Sequence, residues 1–414
     1  MKEKRLSIIA DDLTGAMDSS GYFATMGLST VVVLDHNPSR IADVIVISTD
    51  SRGDDPETAS NKVRKLASEL KDDIVYKKID STLRGNISAE LMAAMNSLSC
   101  EKVIVAPAFP AVGRTTLNGM LMVNNTPVSE TQFANDPTNP VTESHIPRML
   151  EQSIGHPVGT VSLESINAGA ESLYHEFSSR PEKVLVCDAV EQANLHTIAS
   201  ASAMAETNWL LCGSAGLARE LGNFPIKKSK AKSLKVSANE PSGAALLAVG
   251  SRHQVSATQL RKMQNELNIH VLDVKIGLPA DIQSYTTEMD HILLDAIDLL
   301  RQGKSVAVTT TFSQYIPALK RSVSGILADL VADILSLQDI AGLFLCGGDT
   351  ALELCRRLGI GAIQVQGEVE TGVPAGKFSD SHGNYTRLVT KAGGFGSEDA
   401  IIKAISYLER GYLL

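Results

Sequence analysis

Short apolar runs alternate with amphipathic segments along the whole chain, and this alternation predicts an α/β fold. Runs such as RLSIIADD, DVIVIST and KVIVAPA are continuously apolar, which is typical of buried strands. Between them, SNKVRKLASELKDD and SAELMAAMNSL place apolar residues at i, i+3 and i+4, as amphipathic helices do. Because these strands are apolar on both faces, we expect mostly parallel sheets that are covered by helices.

The alternation is interrupted once, by the polar stretch NFPIKKSKAKSLKVSANEPSG at 223–243. This stretch is rich in Lys and Ser and has no apolar period, so it predicts a crossing between domains or a solvated loop. The strand and helix pattern then restarts with AALLAVGS and SATQLRKMQNEL. A chain of 414 residues also exceeds one typical core. We therefore predict two domains, residues 1–235 and 236–414, with a ligand cleft between them.

Composition and charge exclude several classes of function. Hydrophobic residues make up 43% and charged residues 21% of the chain, as in ordinary globular proteins. The net charge of −9 offers no general attraction to nucleic acid or to an anionic membrane surface. The N-terminal sequence MKEKRLSIIADDL lacks the apolar core of a signal peptide, and no run of about 18 apolar residues occurs. Five scattered cysteines without a CxxC pair predict neither a zinc site nor disulfides, so a cytoplasmic protein is expected.

Ligands of open α/β sheets bind beyond the carboxyl ends of the strands, and the first candidate cluster lies there. Asp11 and Asp12 end the first predicted strand and precede a helix start. Neighbouring residues of a strand point in opposite directions, so we expect only one of the two carboxylates to face the ligand. Either residue could instead be a helix N-cap. Arg52 follows the third strand, where it suits a carboxylate ligand or, alternatively, a surface ion pair.

The densest polar cluster is KKIDSTLRGN, between a predicted strand and a predicted helix. Its cations suit a carboxylate, and its acid, hydroxyl and amide groups suit the hydroxyls of a small polyhydroxylated acid. The cluster contains Lys78, Asp80, Ser81, Thr82, Arg84, Gly85 and Asn86. The sequence APAFPAVGRTTLNGM, with Gly113, Arg114 and Asn118, is predicted to be a loop that is either a further part of this site or an ordinary turn.

Three glycine clusters follow predicted strands of the second domain. They are Gly250–Ser251, Gly347–Thr350, and Gly393, Gly394 and Gly396. Glycine lets the backbone approach a ligand, and adjacent N–H groups at a helix start bind phosphate. A single such turn carries little information, but three in one domain indicate a phosphate-rich ligand. Asp349 and Thr350 could hold a metal ion, polarise a phosphate or cap a helix at 351–358. Neither GxxxxGK[ST] nor a GxGxxG after the first strand is present.

Taken together, ADDLTGA, KKIDSTLRGN, APAFPAVGRTTLNG, CGGDTA and VPAG with LVTKAGGFG resemble the signature set of the four-carbon acid sugar kinase family. That family was long known only as a domain of unknown function. The resemblance covers the whole chain in the family's order, and it is greatest to members that act on D-threonate. It implies phosphorylation of a C4 hydroxyl by ATP with Mg²⁺. The N-terminal domain would bind the sugar acid and the C-terminal domain would bind ATP.

The resemblance also implies site residues. Those expected to contact the sugar acid are Asp11, Arg52, Ser81, Thr82, Leu83 and Arg84, and those expected to contact ATP are Ser251, Gly347, Gly348, Asp349, Thr350 and Gly394. Arg52 and Arg84 would bind the substrate carboxylate. Asp11 or Asp12 would accept the hydroxyl proton, with Asp349 as a metal-facing alternative; metal ligands are not otherwise assigned.

Other readings stay open at the level of sequence. The substrate could be D-erythronate, L-threonate or a 3-oxo acid, because a few pocket contacts determine stereochemistry. A two-domain nucleotide or metabolite sensor without turnover is an alternative of another class, although its site would not need the acids of ADD and GGDT. An NAD-dependent dehydrogenase is disfavoured by the missing fingerprint. A homo-oligomer is compatible with the sequence, which does not determine the oligomeric state.

Overall fold

The computed structural model describes residues 4–35, 42–136, 138–228, 243–275, 282–312, 320–379, 385–411 and 413, with only the backbone described at 282–287 and 320–322. Its strands, in chain order, are β1 (Leu6–Ala10), β2 (Thr30–Val33), β3 (Val44–Ser48), β4 (Ile74–Lys78), β5 (Lys102–Ala106), β6 (Arg114–Leu117), β7 (Met120–Val123), β8 (Thr126–Pro127), β9 (Val158–Val161), β10 (Val184–Cys187), β11 (Trp209–Gly213), β12 (Ala245–Val249), β13 (His270–Asp273), β14 (Val306–Thr309), β15 (Gly342–Cys346), β16 (Ala362–Glu370), β17 (Val373–Ser379) and β18 (Tyr385–Lys391).

Its α-helices, in the same order, are α1 (Leu13–Thr25), α2 (Pro56–Glu69), α3 (Ile87–Leu98), α4 (Ile146–Ile154), α5 (Leu163–Asn167), α6 (Ala170–Ser179), α7 (Gln192–Ala203), α8 (Ala215–Glu220), α9 (Gln254–Leu267), α10 (Ile282–Arg301), α11 (Lys320–Leu337), α12 (Gly348–Arg357) and α13 (Ala400–Arg410). The predicted α/β class is thus confirmed. Among the helices within the described ranges, none is long and apolar enough to cross a membrane.

The chain divides into two compact units, the first made mostly of residues before 230 and the second mostly of residues after it. Two N-terminal pieces, Ser20–Thr25 and strand β2, group with the second unit. Strand β2 does so because it pairs antiparallel with β16, Val33 lying opposite Ala362. The predicted boundary at 235 falls outside the described residues and stays a prediction.

The first unit contains a parallel sheet in the order β3-β1-β4-β11-β5-β10-β9. All five residues of β1 are buried, as expected for a central strand of such a sheet. In the register of this sheet, Ala10 pairs with Ser48 on one side and with Lys78 on the other. The carboxyl ends of β1, β3 and β4 therefore lie side by side.

A small antiparallel sheet, β6-β7-β8, also belongs to the first unit. A loop was expected here from the sequence, and that expectation was wrong. Asn118 and Gly119 connect β6 to β7 with φ of 51° and 70°, the left-handed conformation that a two-residue hairpin turn requires. The dipeptide Asn-Gly after an alternating strand was the signal that could have identified the hairpin.

The second unit contains parallel strands in the order β13-β14-β12-β15-β18, followed by antiparallel β17, β16 and β2. The buried residues of β12, β15 and β18 pack with those of α9 and α13, for example Phe344 with Met263 and Ile401 in one core cluster. In the register of this sheet, Val249 pairs with Cys346 and Cys346 pairs with Lys391. The segments that follow β12, β15 and β18 are therefore neighbours.

Candidate active site

Arg52 is the centre of the polar cluster in the first unit, and it binds two carboxylates. Its Nε and Nη2 donate to Asp11 Oδ2 and Oδ1 at 2.7 and 3.0 Å. Its Nη1 and Nη2 donate to Asp12 Oδ2 and Oδ1 at 2.7 and 2.9 Å. The side chain of Arg52 is 18% exposed, so this is a largely buried pair rather than a surface one.

Asp11 and Asp12 thus bind the same guanidinium group, although the alternation of a strand predicted opposite directions; which of them faces the ligand stays a prediction. Strand β1 ends at Ala10, so the alternation of a strand does not extend to these two residues. Asp12 also has the cap role considered in the sequence analysis, because its Oδ1 accepts the Gly15 amide at 2.8 Å. One carboxylate thus begins α1 and binds Arg52 at the same time.

Asp80 organises the turn after β4. Its carboxylate accepts the backbone amide of Thr82 at 3.3 Å and the Thr82 hydroxyl, and it accepts Arg84 Nε and Nη2 at 2.9 and 3.1 Å. Arg52 Nη2 also lies 3.7 Å from Asp80 Oδ1. Leu83 has a φ of 65°, so the turn is held in a strained conformation that these hydrogen bonds stabilise.

Arg84 is held from two directions. Besides Asp80, its Nη1 donates to Asp136 Oδ2 at 3.3 Å, and its guanidinium carbon lies 5.3 Å from the centre of the Phe133 ring. We define the arginine–aspartate cluster as Asp11, Asp12, Arg52, Asp80 and Arg84. The structure brings these predicted residues together with the turn residues Ser81, Thr82 and Leu83 at the ends of three adjacent strands.

A buried network lies beneath the cluster. Lys77 Nζ contacts Glu90 Oε2 at 2.8 Å and donates to the Lys78 carbonyl at 2.8 Å. Glu90 Oε1 accepts the Ser51 hydroxyl at 2.6 Å, and Ser51 Oγ lies 2.7 Å from Thr49 Oγ1. This network joins β4, α3 and the segment that carries Arg52. Sequence reasoning missed Glu90, although a glutamate three residues after Ile87 and one before Leu91 lies on the apolar face of α3.

The carboxyl groups of the cluster differ in their pKa. Burial opposes ionisation of Asp80, but Arg84 and Arg52 more than offset it and hold the pKa of Asp80 well below the usual value. Burial likewise opposes ionisation of Asp11, and Arg52 and Lys77 lower its pKa. At Asp12 burial prevails, with Asp11 and Asp80 adding repulsion, so its pKa is raised despite Arg52. Of these three carboxyl groups, Asp12 is the one whose pKa is raised.

In the second unit, the three predicted glycine clusters lie against one another. Gly250 approaches α12 so closely that a Cβ there would lie 2.1 Å from Thr350 Oγ1. Position 393 packs against Ser251, since a Cβ there would lie 2.0 Å from the Ser251 hydroxyl oxygen. Gly347 donates to the Lys391 carbonyl at 3.2 Å. Ser251, Gly347 and the loop that contains Gly394 are thus neighbours, as their predicted common ligand requires.

Helix α12 begins at Gly348, three residues before the predicted start at 351. Its N-cap is Gly347, with φ of 113° and no side-chain cap hydrogen bond. Asp349 and Thr350 therefore lie inside the first turn, and the proposal that either caps the helix was wrong. Asp349 is exposed and Thr350 is buried against Gly250. The amide groups at this helix start are presented without a capping side chain, an arrangement that suits a phosphate.

Two domain models match the chain: a sugar-binding N-terminal domain at residues 6–221 and a nucleotide-binding C-terminal domain at residues 246–401. Among curated relatives, a D-threonate kinase of Salmonella typhimurium is 33% identical, with 99% of each chain covered. A D-erythronate kinase of Heliobacterium modesticaldum is 27% identical, covering 97% of this chain and 96% of the relative. A 3-oxo-tetronate kinase of Pseudomonas savastanoi pv. phaseolicola is 29% identical, covering 97% of each.

The fold is also that of a solved structure, a putative tRNA synthase from Salmonella typhimurium, with a TM-score of 0.79, 24% identity and 99% of each chain covered. This likeness concerns the fold alone. The two domain models together span the described sites of both units, and the curated relatives align over nearly the full chain. The chain therefore belongs to the four-carbon acid sugar kinase family, and it is a phosphotransferase enzyme.

Proposed function

We propose that this enzyme transfers the γ-phosphate of ATP to the C4 hydroxyl of a four-carbon sugar acid, with D-threonate as the first candidate substrate. The observation that carries the proposal is the arginine–aspartate cluster, which places hydroxyl-binding carboxylates beside carboxylate-binding guanidinium groups. D-threonate is favoured over D-erythronate and 3-oxo-tetronate by the higher identity to the D-threonate kinase. Magnesium is expected to accompany ATP.

A four-carbon sugar acid has its carboxylate at one end and its C4 hydroxyl at the other, so different groups must bind the two ends. We propose that Arg84 and the turn Ser81–Arg84 bind the substrate carboxylate. The Arg84 side chain is 27% exposed, so it can donate to a further ligand. Arg52 instead directs four hydrogen bonds to Asp11 and Asp12. Its expected contact with the substrate carboxylate stays a prediction; its principal role here is to orient the two acids.

We propose that Asp12 accepts the proton of the C4 hydroxyl during phosphoryl transfer. Its raised pKa makes it a better proton acceptor than Asp11, whose pKa is lowered by the surrounding cations. Asp11 would then bind a substrate hydroxyl as an ionised acceptor. Arg52, which bridges both, would stabilise the carboxylate before transfer and hold the proton-accepting atom in place. Phosphoryl transfer needs little covalent help, so such positioning accounts for most of the protein's contribution.

ATP fits the neighbouring glycine clusters of the second unit. The uncapped start of α12 and the close packing at Gly250 and Gly393 leave backbone amides as the available phosphate donors. Within the described ranges, no group of three or more acidic, His or Cys side chains is arranged to hold a metal ion. Mg²⁺ keeps several waters and binds few protein carboxylates, so it would arrive on the phosphates and offset their charge, with Asp349 as the exposed acid nearest the start of α12.

The test is a coupled ADP-release assay with Mg·ATP and a panel of D- and L-threonate, D- and L-erythronate and their 3-oxo analogues. We expect turnover of one acid, with D-threonate first. Asp12→Asn should lower kcat by about 10²–10⁴-fold with a small change in KM, as the loss of a general base does. Asp11→Asn, its matched control, should mainly raise the KM of the acid.

The reverse result, with kcat lost in Asp11→Asn and KM raised in Asp12→Asn, would exchange the two assignments. Absence of turnover with every acid of the panel, while Mg·ADP still binds, would contradict the substrate class.

A further inference from the structure

Lys391, the last residue of β18, is 1% exposed and directs its ammonium group at the loop that follows it. Its Nζ donates to the carbonyl oxygens of Ala392, Gly393 and Phe395 at 3.0, 3.1 and 3.1 Å. It also lies 3.4 Å from Ser256 Oγ. A buried ammonium is costly unless it is hydrogen-bonded, so this cation and the loop carbonyls stabilise one another.

Two side chains of α9 bind further carbonyls of the same loop. Ser256 Oγ donates to the Gly393 carbonyl at 2.8 Å. Gln259 Nε2 donates to the carbonyls of Phe395, Gly396 and Ser397 at 3.1, 3.2 and 2.7 Å. Ser256 and Gln259 are both completely buried. The carbonyls of residues 392, 393, 395, 396 and 397 are therefore all turned toward buried donors.

Three amide groups of the loop consequently point away from Lys391, whereas the Phe395 amide donates to the Ala392 carbonyl at 3.1 Å. In a planar trans peptide the C=O of one residue and the N–H of the next are antiparallel. Carbonyls of 392, 393 and 395 that point at Lys391 thus turn the amides of Gly393, Gly394 and Gly396 away from it. Adjacent amides that face one direction, as those of Gly393 and Gly394 do, form a concave site for an anion. The amide of Ser397 is bound separately, to Glu370 Oε1 at 2.6 Å, which fixes the far end of the loop.

We infer that Lys391 is a positioning residue for nucleotide binding: it holds loop 392–397 by its carbonyls so that the amides of Gly393, Gly394 and Gly396 face the phosphates of ATP. This inference rests on the proposed function and adds to it. Lys391 acts through the loop rather than by touching the nucleotide, and its buried positive charge also favours phosphate from behind the loop. The chemical class of ligand is a nucleoside di- or triphosphate.

The test compares Lys391→Met with the wild-type enzyme, using Mg·ADP binding by calorimetry and steady-state kinetics with ATP and the acid that the wild type phosphorylates. We expect the Kd of Mg·ADP and the KM of ATP to rise by at least about tenfold, because three loop carbonyls each lose one of the donors that hold them. The KM of the acid should change by less than about twofold, since the loss is confined to one ligand.

Lys377→Met is the matched control, because Lys377 is also a buried lysine and lies on β17 of the same unit. Its affinity for Mg·ADP should stay within about twofold of the wild type. Ser256→Ala removes one of the two donors to the Gly393 carbonyl, together with the contacts of Ser256 Oγ to Lys391 Nζ and Cys346 Sγ, and should raise the Kd of Mg·ADP by about threefold. If circular dichroism shows that Lys391→Met does not fold, the Kd of Mg·ADP for Ser256→Ala becomes the test of the inference.

Folded Lys391→Met with wild-type affinity for Mg·ADP would overturn the inference and leave the proposed function intact. An equal loss in Lys377→Met, or unchanged affinity in Ser256→Ala when Lys391→Met is unfolded, would also overturn it. Wild-type enzyme that binds no Mg·ADP would contradict the proposed function itself, and the inference with it.

Discussion

The candidate sites of the two units are built from different groups: charged side chains in the first unit and backbone amides in the second. In the first unit, five charged side chains form the arginine–aspartate cluster, and their ion pairs are largely buried. In the second unit, half of the predicted ligand contacts are glycines, and the buried side chains there, such as Lys391 and Gln259, bind the backbone. The difference suits the two proposed ligands, since a small acid is distinguished by the positions of its hydroxyls and a phosphate chain is bound by repeated amides.

This contrast implies different sensitivities to substitution. The loss of one charge from a buried charged cluster should change the stability of the fold strongly, because the remaining charges are then unpaired. The stability of such a cluster should also depend on pH. A backbone site should tolerate changes of charge nearby and respond instead to added volume. Substitutions in the two units should therefore differ in whether they change stability, pH dependence or nucleotide affinity.

The largest effect is expected for Arg52→Met. It leaves Asp11 and Asp12 without their shared cation, and breaking a buried pair on one side costs about 3–5 kcal/mol in the free energy of unfolding. Turnover should fall by at least about 100-fold. Urea unfolding and the ADP-release assay measure the two effects. Arg52→Lys retains the charge but cannot bridge both acids, so its stability and turnover should lie between those of the wild type and Arg52→Met. If Arg52→Met were as stable as the wild type, the central role of Arg52 would be contradicted.

A smaller effect, with a defined pH dependence, is expected for Asp80→Asn. Because the folded pKa of Asp80 lies well below the ordinary 3.8, its ionisation stabilises the fold fully above that value. This stability is lost as the pH falls below 3.8 through the folded pKa. Asp80→Asn should therefore cost about 2 kcal/mol at pH 7 and less at pH 3, where part of this stabilisation is already lost.

Urea unfolding at pH 7, 5 and 3 tests this prediction, with Asp72→Asn as an exposed control in the same unit. If wild type and Asp80→Asn lose stability in parallel as the pH falls, the cluster does not carry the acid sensitivity and the contrast between the two units weakens.

The smallest effect is expected for Gly250→Ala in the second unit. The added methyl would lie 2.1 Å from Thr350 Oγ1, so the loop and the start of α12 must move apart. We expect the KM of ATP to rise by about three- to tenfold while the KM of the acid is unchanged. Gly325→Ala is the control, because a Cβ at this position of α11 meets only Arg357 Nη2 at 3.5 Å. Unchanged KM in Gly250→Ala would show that close packing there does not shape the nucleotide site.

The sequence predicted the α/β class because the period of the apolar residues and the length of the runs determine buried strands and amphipathic helices. It also predicted which strand ends carry polar residues or glycine clusters, including those at Asp11, Arg52 and Gly347. Both follow from local pattern. The pairing of β2 with β16 could not be predicted, because the two strands are more than three hundred residues apart and nothing local specifies the partner.

The geometry of the site was also only partly predictable. The shared binding of Asp11 and Asp12 to Arg52 depends on where β1 ends, and a shift of one residue reverses the expected directions. Glu90 and Lys391 were missed for a related reason. Each is a charged residue whose importance comes from burial. Glu90 could have been identified from its place on the apolar face of α3, whereas nothing in the pattern of β18 marks Lys391 as buried.

The burial of the five cysteines makes the protein convenient for site-selective labelling. All five are free thiols below the surface, and burial raises the pKa of Cys100, Cys212 and Cys355 to about 12. Because thiolates are the species that react with maleimides, the native chain should be nearly inert to them at neutral pH. A cysteine introduced at the exposed Arg356, late in α12, would then be the single fast-reacting thiol. A fluorophore there could report nucleotide binding without first removing any natural cysteine.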